Sequence, residues 1–188
     1  MAVYFFYGEE DFNIDLEIES MHSKLNPDFI SMSFKIFDNP EYSELINLLR
    51  TPPMMFGETL FVINAEKYFS SQKNYFDDSE LEDIEDALTN NPESLNIVFV
   101  VKLPRDEGKK LDTRRKLYKI LNKFNSEEFP AFKTYKTTEI SDWLRRRAKK
   151  KDLTLKDDAL NLLIENLGNN LRQFDIELDK RSEERRVG

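Results

Sequence analysis

Apolar positions along this chain follow two rhythms. Residues 2–7 (Ala-Val-Tyr-Phe-Phe-Tyr) form a continuous apolar and aromatic run ended by Gly8, the pattern of a buried strand. From Asp11 the period lengthens: Ile14, Ile18, Met21 and Leu25 recur at helical spacing, Asp11 is placed to cap them, and Asn26-Pro27 stops the helix. Residues 31–38 return to alternation, with Met32, Phe34 and Ile36 facing one way. Asn39-Pro40 then reads as a helix start, a capping side chain followed by proline at the first helical position. Tyr42, Leu45, Leu48 and Leu49 carry that helix's apolar stripe as far as Thr51-Pro52-Pro53, where two residues without a backbone donor forbid its continuation.

The same alternation continues downstream. Residues 59–64 read as a third strand, and Ser79-x-x-Glu82 as a capping box opening an acidic helix with Leu81, Ile84 and Leu88 inward. Asn90-Asn91-Pro92 ends it. Residues 95–101 (Leu-Asn-Ile-Val-Phe-Val-Val) suit a central parallel strand covered on both faces. Asp112 is placed to start a basic helix with Leu117, Leu121 and Phe124 inward, and residues 132–136 read as the last strand. Five strand–helix alternations with short connections predict an α/β domain, a parallel sheet with helices on both faces. After Thr137 the strands stop, and residues 138–151, 154–167 and 170–181 read as three helices, with Gly168 placed to end the second. The expected domains are 1–137 and 138–181. Residues 182–188 form an atypical tail, because the stripe of Leu171, Phe174 and Leu178 ceases there.

Composition narrows the chemistry. With 188 residues and 15 phenylalanines the chain can bury a real core. No run approaches the ~20 apolar residues of a membrane span, and the first residues lack the basic flank of a signal peptide; the expectation is a bacterial-type cytoplasmic protein. Zero cysteines and one histidine leave no thiol nucleophile, disulfide or zinc site. Charge is uneven: residues 1–101 hold 20 acids and 5 bases, residues 102–188 hold 16 acids and 23 bases. A basic second half is compatible with nucleic acid meeting one side of the molecule, and equally with solvated surface.

A strand-first α/β domain followed by a helical lid raises the question of ATP. A phosphate loop after strand one needs glycines that expose backbone N–H groups and a lysine for the terminal phosphates. The position reads Gly8-Glu9-Glu10-Asp11, with one glycine, no lysine and three carboxylates, which is electrostatically wrong for a nucleotide. No cofactor is expected. Asp77, Asp78, Glu80, Glu82, Asp83, Glu85 and Asp86 are numerous enough to suggest a metal-dependent nuclease, but they lie round the solvent face of one helix. A metal site draws carboxylates from separate elements. With His22 alone there is no acid–base relay, and no catalytic residue or metal ligand is expected.

Two stretches remain open on the residues alone. Met54, Met55 and Phe56, before Gly57, either pack in this protein's own core or fill a pocket on another molecule. Arg145, Arg146, Arg147, Lys149, Lys150 and Lys151 span nearly two helical turns, either as a solvated face or as contacts to DNA phosphates, with Lys109, Lys110, Arg114 and Arg115 as possible extensions. Trp143 reads as core of the small domain rather than a stacking platform.

Taken in order, the segments Tyr4-Phe5-Phe6-Tyr7-Gly8-Glu9-Glu10, Leu48-Leu49-Arg50-Thr51-Pro52-Pro53-Met54-Met55-Phe56-Gly57-Glu58 and Ile97-Val98-Phe99-Val100-Val101 resemble the delta subunit of bacterial DNA polymerase III. So do Arg114-Arg115-Lys116-Leu117-Tyr118-Lys119, Ile140-x-x-Trp143-Leu144-x-x-x-Ala148 and Gly168-Asn169-Asn170-Leu171. The resemblance runs from residue 3 to about 180. It implies a clamp-loader subunit with an AAA+-like (P-loop NTPase-like) fold that has lost its phosphate loop, Gly8, Glu9, Glu10 and Asp11 being the degenerate site. It implies binding of the beta sliding clamp, whose ring is opened by a wedge of two adjacent apolar residues, here Met55 and Phe56 with Met54 and Gly57 adjacent. The implied partners are the gamma/tau and delta-prime subunits, with primer–template DNA met weakly or only in the assembly. The subunit would be non-catalytic within a DNA-directed DNA polymerase holoenzyme, in a nucleoid-associated replisome. The family's third, helical collar domain has no counterpart in these 188 residues. The rival reading is a DNA-binding accessory protein that uses the 145–151 run without touching a clamp.

Overall fold

Five strands, all parallel, form the centre of the fold in the order β2-β3-β4-β1-β5. The computed structural model describes residues 2–52, 57–70, 74–105 and 110–187. They fall into two compact units, 1–130 and 131–188. In the first, β1 (Ala2–Gly8) is followed by α1 (Asp11–His22), a short 3-10 turn, α2 (Ile30–Ser33), β2 (Phe34–Asp38) and α3 (Tyr42–Leu49). Then come β3 (Thr59–Asn64), α4 (Glu66–Ser70), α5 (Asp78–Thr89), β4 (Leu95–Lys102), α6 (Lys116–Leu121) and β5 (Asn125–Phe129).

The continuous apolar runs are explained by this order. β1, β3 and β4 each have a strand on both sides, so their alternate side chains enter two separate cores. Val3, Phe5, Phe61, Ile63, Ile97 and Phe99 meet α3, α5 and α6 on one face. Phe6, Leu60, Val62, Val98 and Val100 meet α1 and the segment to Leu25 on the other. The helical stripes face inward as their spacing predicts. Ile14 and Leu25 are buried with Ile18 and Met21 packed beside them, and Leu45, Leu49, Leu81, Ile84, Leu88, Leu117 and Leu121 are buried.

The last strand differs from expectation. It is Asn125–Phe129, paired in parallel with β1, whereas residues 132–136 form no strand. An edge strand needs only one apolar contact, and of Asn125-Ser126-Glu127-Glu128-Phe129 only Phe129 is buried, so no period signals it. The aromatic residues that suggested a strand lie outside the sheet: Tyr135 is 72% exposed, and the carbonyl of Phe132 accepts from Asn169 Nδ2. The other edge departs as well. Residues 30–33 are one helical turn, so β2 begins at Phe34, and Met32 and Ile36 are exposed while Phe34 packs inward.

Four helix starts are also displaced. The capping box uses Asp77 and Glu80, two residues before the expected pair, because Asp77 Oδ1 accepts from the Glu80 amide and Glu80 returns to the Asp77 amide. Asn39 caps nothing. It adopts φ +48°, and its Oδ1 accepts from the Lys67 amide, while α3 starts behind Glu41. Asp112 holds the Arg114 amide and guanidinium in a turn before α6. Asp11 is the first residue of α1 rather than its cap.

The second unit consists of α7 (Thr137–Lys150), α8 (Asp157–Leu167) and α9 (Leu171–Val187). Ile140, Trp143, Leu144 and Ala148 of α7, Leu160 and Leu163 of α8, and Leu171, Phe174 and Leu178 of α9 supply its core. Trp143 is therefore a core residue. Gly168 ends α8 at φ +64°.

Candidate functional site

At the C-terminal end of β1 the chain turns sharply into α1. Gly8 adopts φ +145°, and a Cβ there would lie 2.2 Å from the carbonyl oxygen of Phe129, so both conformation and closeness require glycine. The Gly8 carbonyl accepts from the Leu103 amide and the Phe129 carbonyl from the Glu10 amide, which ties this turn to the ends of β4 and β5. Glu10 then folds inward. Its side chain is fully buried, and Oε1 accepts from Arg105 Nη2 at 2.5 Å. Arg105 Nε also donates to the Glu9 carbonyl. Oε2 has no partner. Burial raises the Glu10 carboxyl above its ordinary range, against the opposing pull of Arg105. Beside the pair, Lys102 Nζ meets Asp15 at 2.6 Å. Of Gly8, Glu9, Glu10 and Asp11, then, Glu10 is the residue that occupies the interior of the turn.

Arg105 was not legible as a partner, since it lies 95 residues from Glu10 with no local period to mark it.

The described residues that flank the second stretch lie at the opposite margin of the sheet, where β3 begins. After α3 the amides of Arg50 and Thr51 bond back to Ile46 and Leu48, and Thr51 Oγ1 donates to the Asn47 carbonyl, so the helix is finished before Pro52. Met54, Met55 and Phe56 lie outside the described residues. Gly57 follows at φ +115°, exposed, with nothing within 4 Å of a Cβ built on it. Glu58 is exposed and accepts from Asn96 Nδ2, and the Thr59 amide donates to the Ser94 carbonyl as β3 begins.

The basic run divides in two. Arg147 is bidentate to Asp175 at 2.5 and 3.0 Å, Lys151 reaches Asp175 at 3.1 Å and also pairs with Asp179, and Arg145 bonds Asp157 at 2.7 Å. Burial pushes the Asp175 carboxyl up, but Arg147 and Lys151 outweigh it and hold the group below the ordinary carboxylate range. Arg146, Lys149 and Lys150 are exposed at i, i+3 and i+4 on one face of α7. The pairs joining α7 to α9 did have a signal: Arg147/Lys151 and Asp175/Asp179 share a four-residue spacing.

Acidic α5 is engaged with its neighbours. Asp78 pairs with Lys116, Glu85 with Lys123, and Asp83 accepts from Tyr42. Among the described residues no group of three or more His, Asp or Glu could hold a metal ion, and no helix is long and apolar enough to cross a membrane. His22 is half-buried edge-on against Phe34, 4.5 Å between ring centres. Lys109 lies outside the described residues; Lys110 is exposed, and Arg114 is taken by Asp112, whose carboxyl is lowered to about 2 chiefly by the bonds from Arg114. Arg115 donates to the Tyr68 carbonyl.

The sequence profile of the DNA polymerase III delta subunit matches residues 4–132. The chain belongs to that family. The delta-family fold is seen in a solved structure, the Bacillus subtilis DNA clamp loader delta protein (YqeN), which superposes with a TM-score of 0.76 at 18% identity over 97% of this chain. The chain spans about half of that protein, 53% of its length. Looser likenesses are to a DNA replication initiation factor (TM-score 0.42, 10% identity, 99% of this chain and 58% of that one) and to domain III of the Thermotoga maritima replication initiation protein DnaA (0.35, 12%, 93% and 60%). A search of curated protein sequences gives no significant match.

Proposed function

We propose that this delta-family chain is the clamp-binding portion of a clamp-loader subunit, and that Met55 and Phe56, flanked by Met54 and Gly57, are the wedge that opens the sliding clamp. One observation carries the reading. Residues 51–57, inside the span matched by the family, set three large apolar residues between a helix that has ended and a strand that starts only at Thr59. An unbranched thioether adapts to a pocket, which suits methionine to such a tip. Opening a ring requires tighter binding to the open or strained clamp than to the closed one, since affinity alone shifts no equilibrium.

In this reading residues 1–137 are an AAA+-like domain without nucleotide chemistry, 138–181 a lid-like helical domain, and the chain catalyses nothing itself. ATP-dependent gamma/tau and delta-prime partners control when the clamp is opened, in a cytoplasmic, nucleoid-associated replisome. The test replaces Met55 and Phe56 together by Ala and follows binding to the cognate clamp beside thermal melting. Burial of two such side chains contributes about 3–6 kcal/mol, or roughly 10²–10⁴-fold in Kd. The expected result is lost binding at near-native Tm. Unchanged binding, or binding lost only in proportion to unfolding, defeats the wedge.

A second reading rests on α7. Exposed Arg146, Lys149 and Lys150 are spaced to follow a phosphate backbone, which supports sequence-independent contact with primer–template DNA.

A further inference from the structure

Helix α8 is apolar on more sides than its own unit covers. Of Ala159, Leu160, Leu162, Leu163, Ile164 and Leu167, its apolar residues, only Leu160 and Leu163 are buried. Leu162 is 56% exposed. A single exposed leucine is ordinary, but this one stands at the edge of a cavity of about 510 Å³, within the range of ligand-sized sites. Ala159, Leu163 and Leu167 line it from α8, and Leu153 and Leu155 from the connection after α7. That connection is held in place by the Leu153 amide, which donates to the Ala148 carbonyl at 2.9 Å. Helix α9 contributes Glu177 and Arg181.

The rim of this groove is charged at one end. Gly168 turns the chain between α8 and α9, and the two helices are in contact, so α9 runs back past α8. Lys156 lies 12 residues before Gly168 and Arg181 lies 13 after it, which puts both cations at the end away from the turn. Both are exposed, and among the described residues neither head group meets a carboxylate. Glu177, one turn before Arg181 on the same lining, is engaged by Lys180 at 2.6 Å instead. The groove is thus apolar along its floor and positive at one end. We propose that it is a docking site for an acidic, leucine-bearing helical segment of a partner protein, whose aliphatic side chains enter beside Leu162 and whose carboxylates meet Lys156 and Arg181. Charge complementarity selects that occupant. A second copy meeting this one groove to groove would bring more cations, and only Glu177, already bonded, to answer them. The lining residues all belong to the second unit and include neither the wedge nor the exposed cations of α7, so the test is independent of both.

The test uses the whole chain and a fluorescein-labelled helical peptide of about 16 residues. The peptide carries leucines at i, i+4, i+7 and i+11, and glutamates in its first turn, where they also favour its own helix. Fluorescence anisotropy is expected to show saturable binding. Lys156→Glu with Arg181→Glu should weaken it roughly 5–30-fold, and Leu162→Asp at least ~10-fold. All three positions are exposed, so the melting temperature of each variant should stay within about 2 °C of the native chain. A second peptide with lysines in place of the glutamates should bind the native chain weakly and the charge-reversed variant better, an exchange that an apolar surface alone would not give. The proposal is overturned if neither peptide binds the native chain up to about 1 mM, or if either variant binds the acidic peptide as the native chain does. Sodium dodecanoate that expels the peptide at equal concentration would make this a small-molecule site. Sedimentation showing a dimer that Leu162→Asp dissolves would make it a contact between copies. Either result also overturns the proposal.

Discussion

Glu10 and Asp175 are both carboxylates set against basic side chains, yet burial and partners move them in opposite directions. For Glu10 burial wins, and the folded chain keeps the carboxyl proton to a higher pH than the unfolded chain, whose pKa is ~4.3. Folded Glu10 therefore binds more protons than unfolded Glu10 in the window from about pH 4.3 up to its raised value. Its contribution to stability falls as pH rises through that window and is constant above it. Urea unfolding of the native chain and of Glu10→Gln, taken from pH 4 to 8, should show their difference moving against the native chain across the window and then levelling; a difference that grew with pH would contradict the buried charge. Arg105 and Asp11 are the charges that face the group. Asp175 has the reverse sign, its contribution present above about pH 3.9 and lost as pH falls through its lowered value.

Helix α7 carries two kinds of cation that look alike in the sequence. Arg147 and Lys151 meet Asp175 and Asp179 of α9, so one helix's four-residue repeat is answered by the other's. Asp175→Ala leaves two largely buried cations without that partner and should cost about 3 kcal/mol, whereas Asp179→Ala, at 56% exposure, should cost under about 1 kcal/mol. Trp143, the single tryptophan and buried on α7, reports both by fluorescence. Arg146, Lys149 and Lys150 are the cations available to a nucleic acid. If all three meet phosphates, the salt dependence of duplex binding has a log–log slope of about −2.7, and replacing them by Ala should remove it without lowering the melting temperature. Retention of the full slope by that variant would dismiss α7 as a DNA contact. The sequence showed six cations in a run, and only the shared spacing of Arg147/Lys151 and Asp175/Asp179 hinted that some are spoken for, because the partners lie 12 to 28 residues away.

For the whole molecule, titration calorimetry with Mg·ATP is expected to be flat, since the turn after β1 carries one glycine, three carboxylates and no lysine; a micromolar isotherm would refute this. The parallel sheet was legible because β1, β3 and β4 are buried on both faces and leave long apolar runs. Of the edge strands, β5 was not, having one buried residue, whereas β2 was legible within 31–38 except for its start, where a helical turn precedes it. The 51–57 segment was conspicuous by composition, and the Glu10–Arg105 pair was invisible because a contact 95 residues long leaves no periodic trace. The strand order bears on mechanical load. Residues 51–58 lead into β3, which is bonded to β2 on one side and β4 on the other. A pull on those residues along the strand direction loads both ladders in shear, so many bonds resist together. The same pull on a strand with one neighbour would be borne by a single ladder, and the sheet spares β3 that weakness.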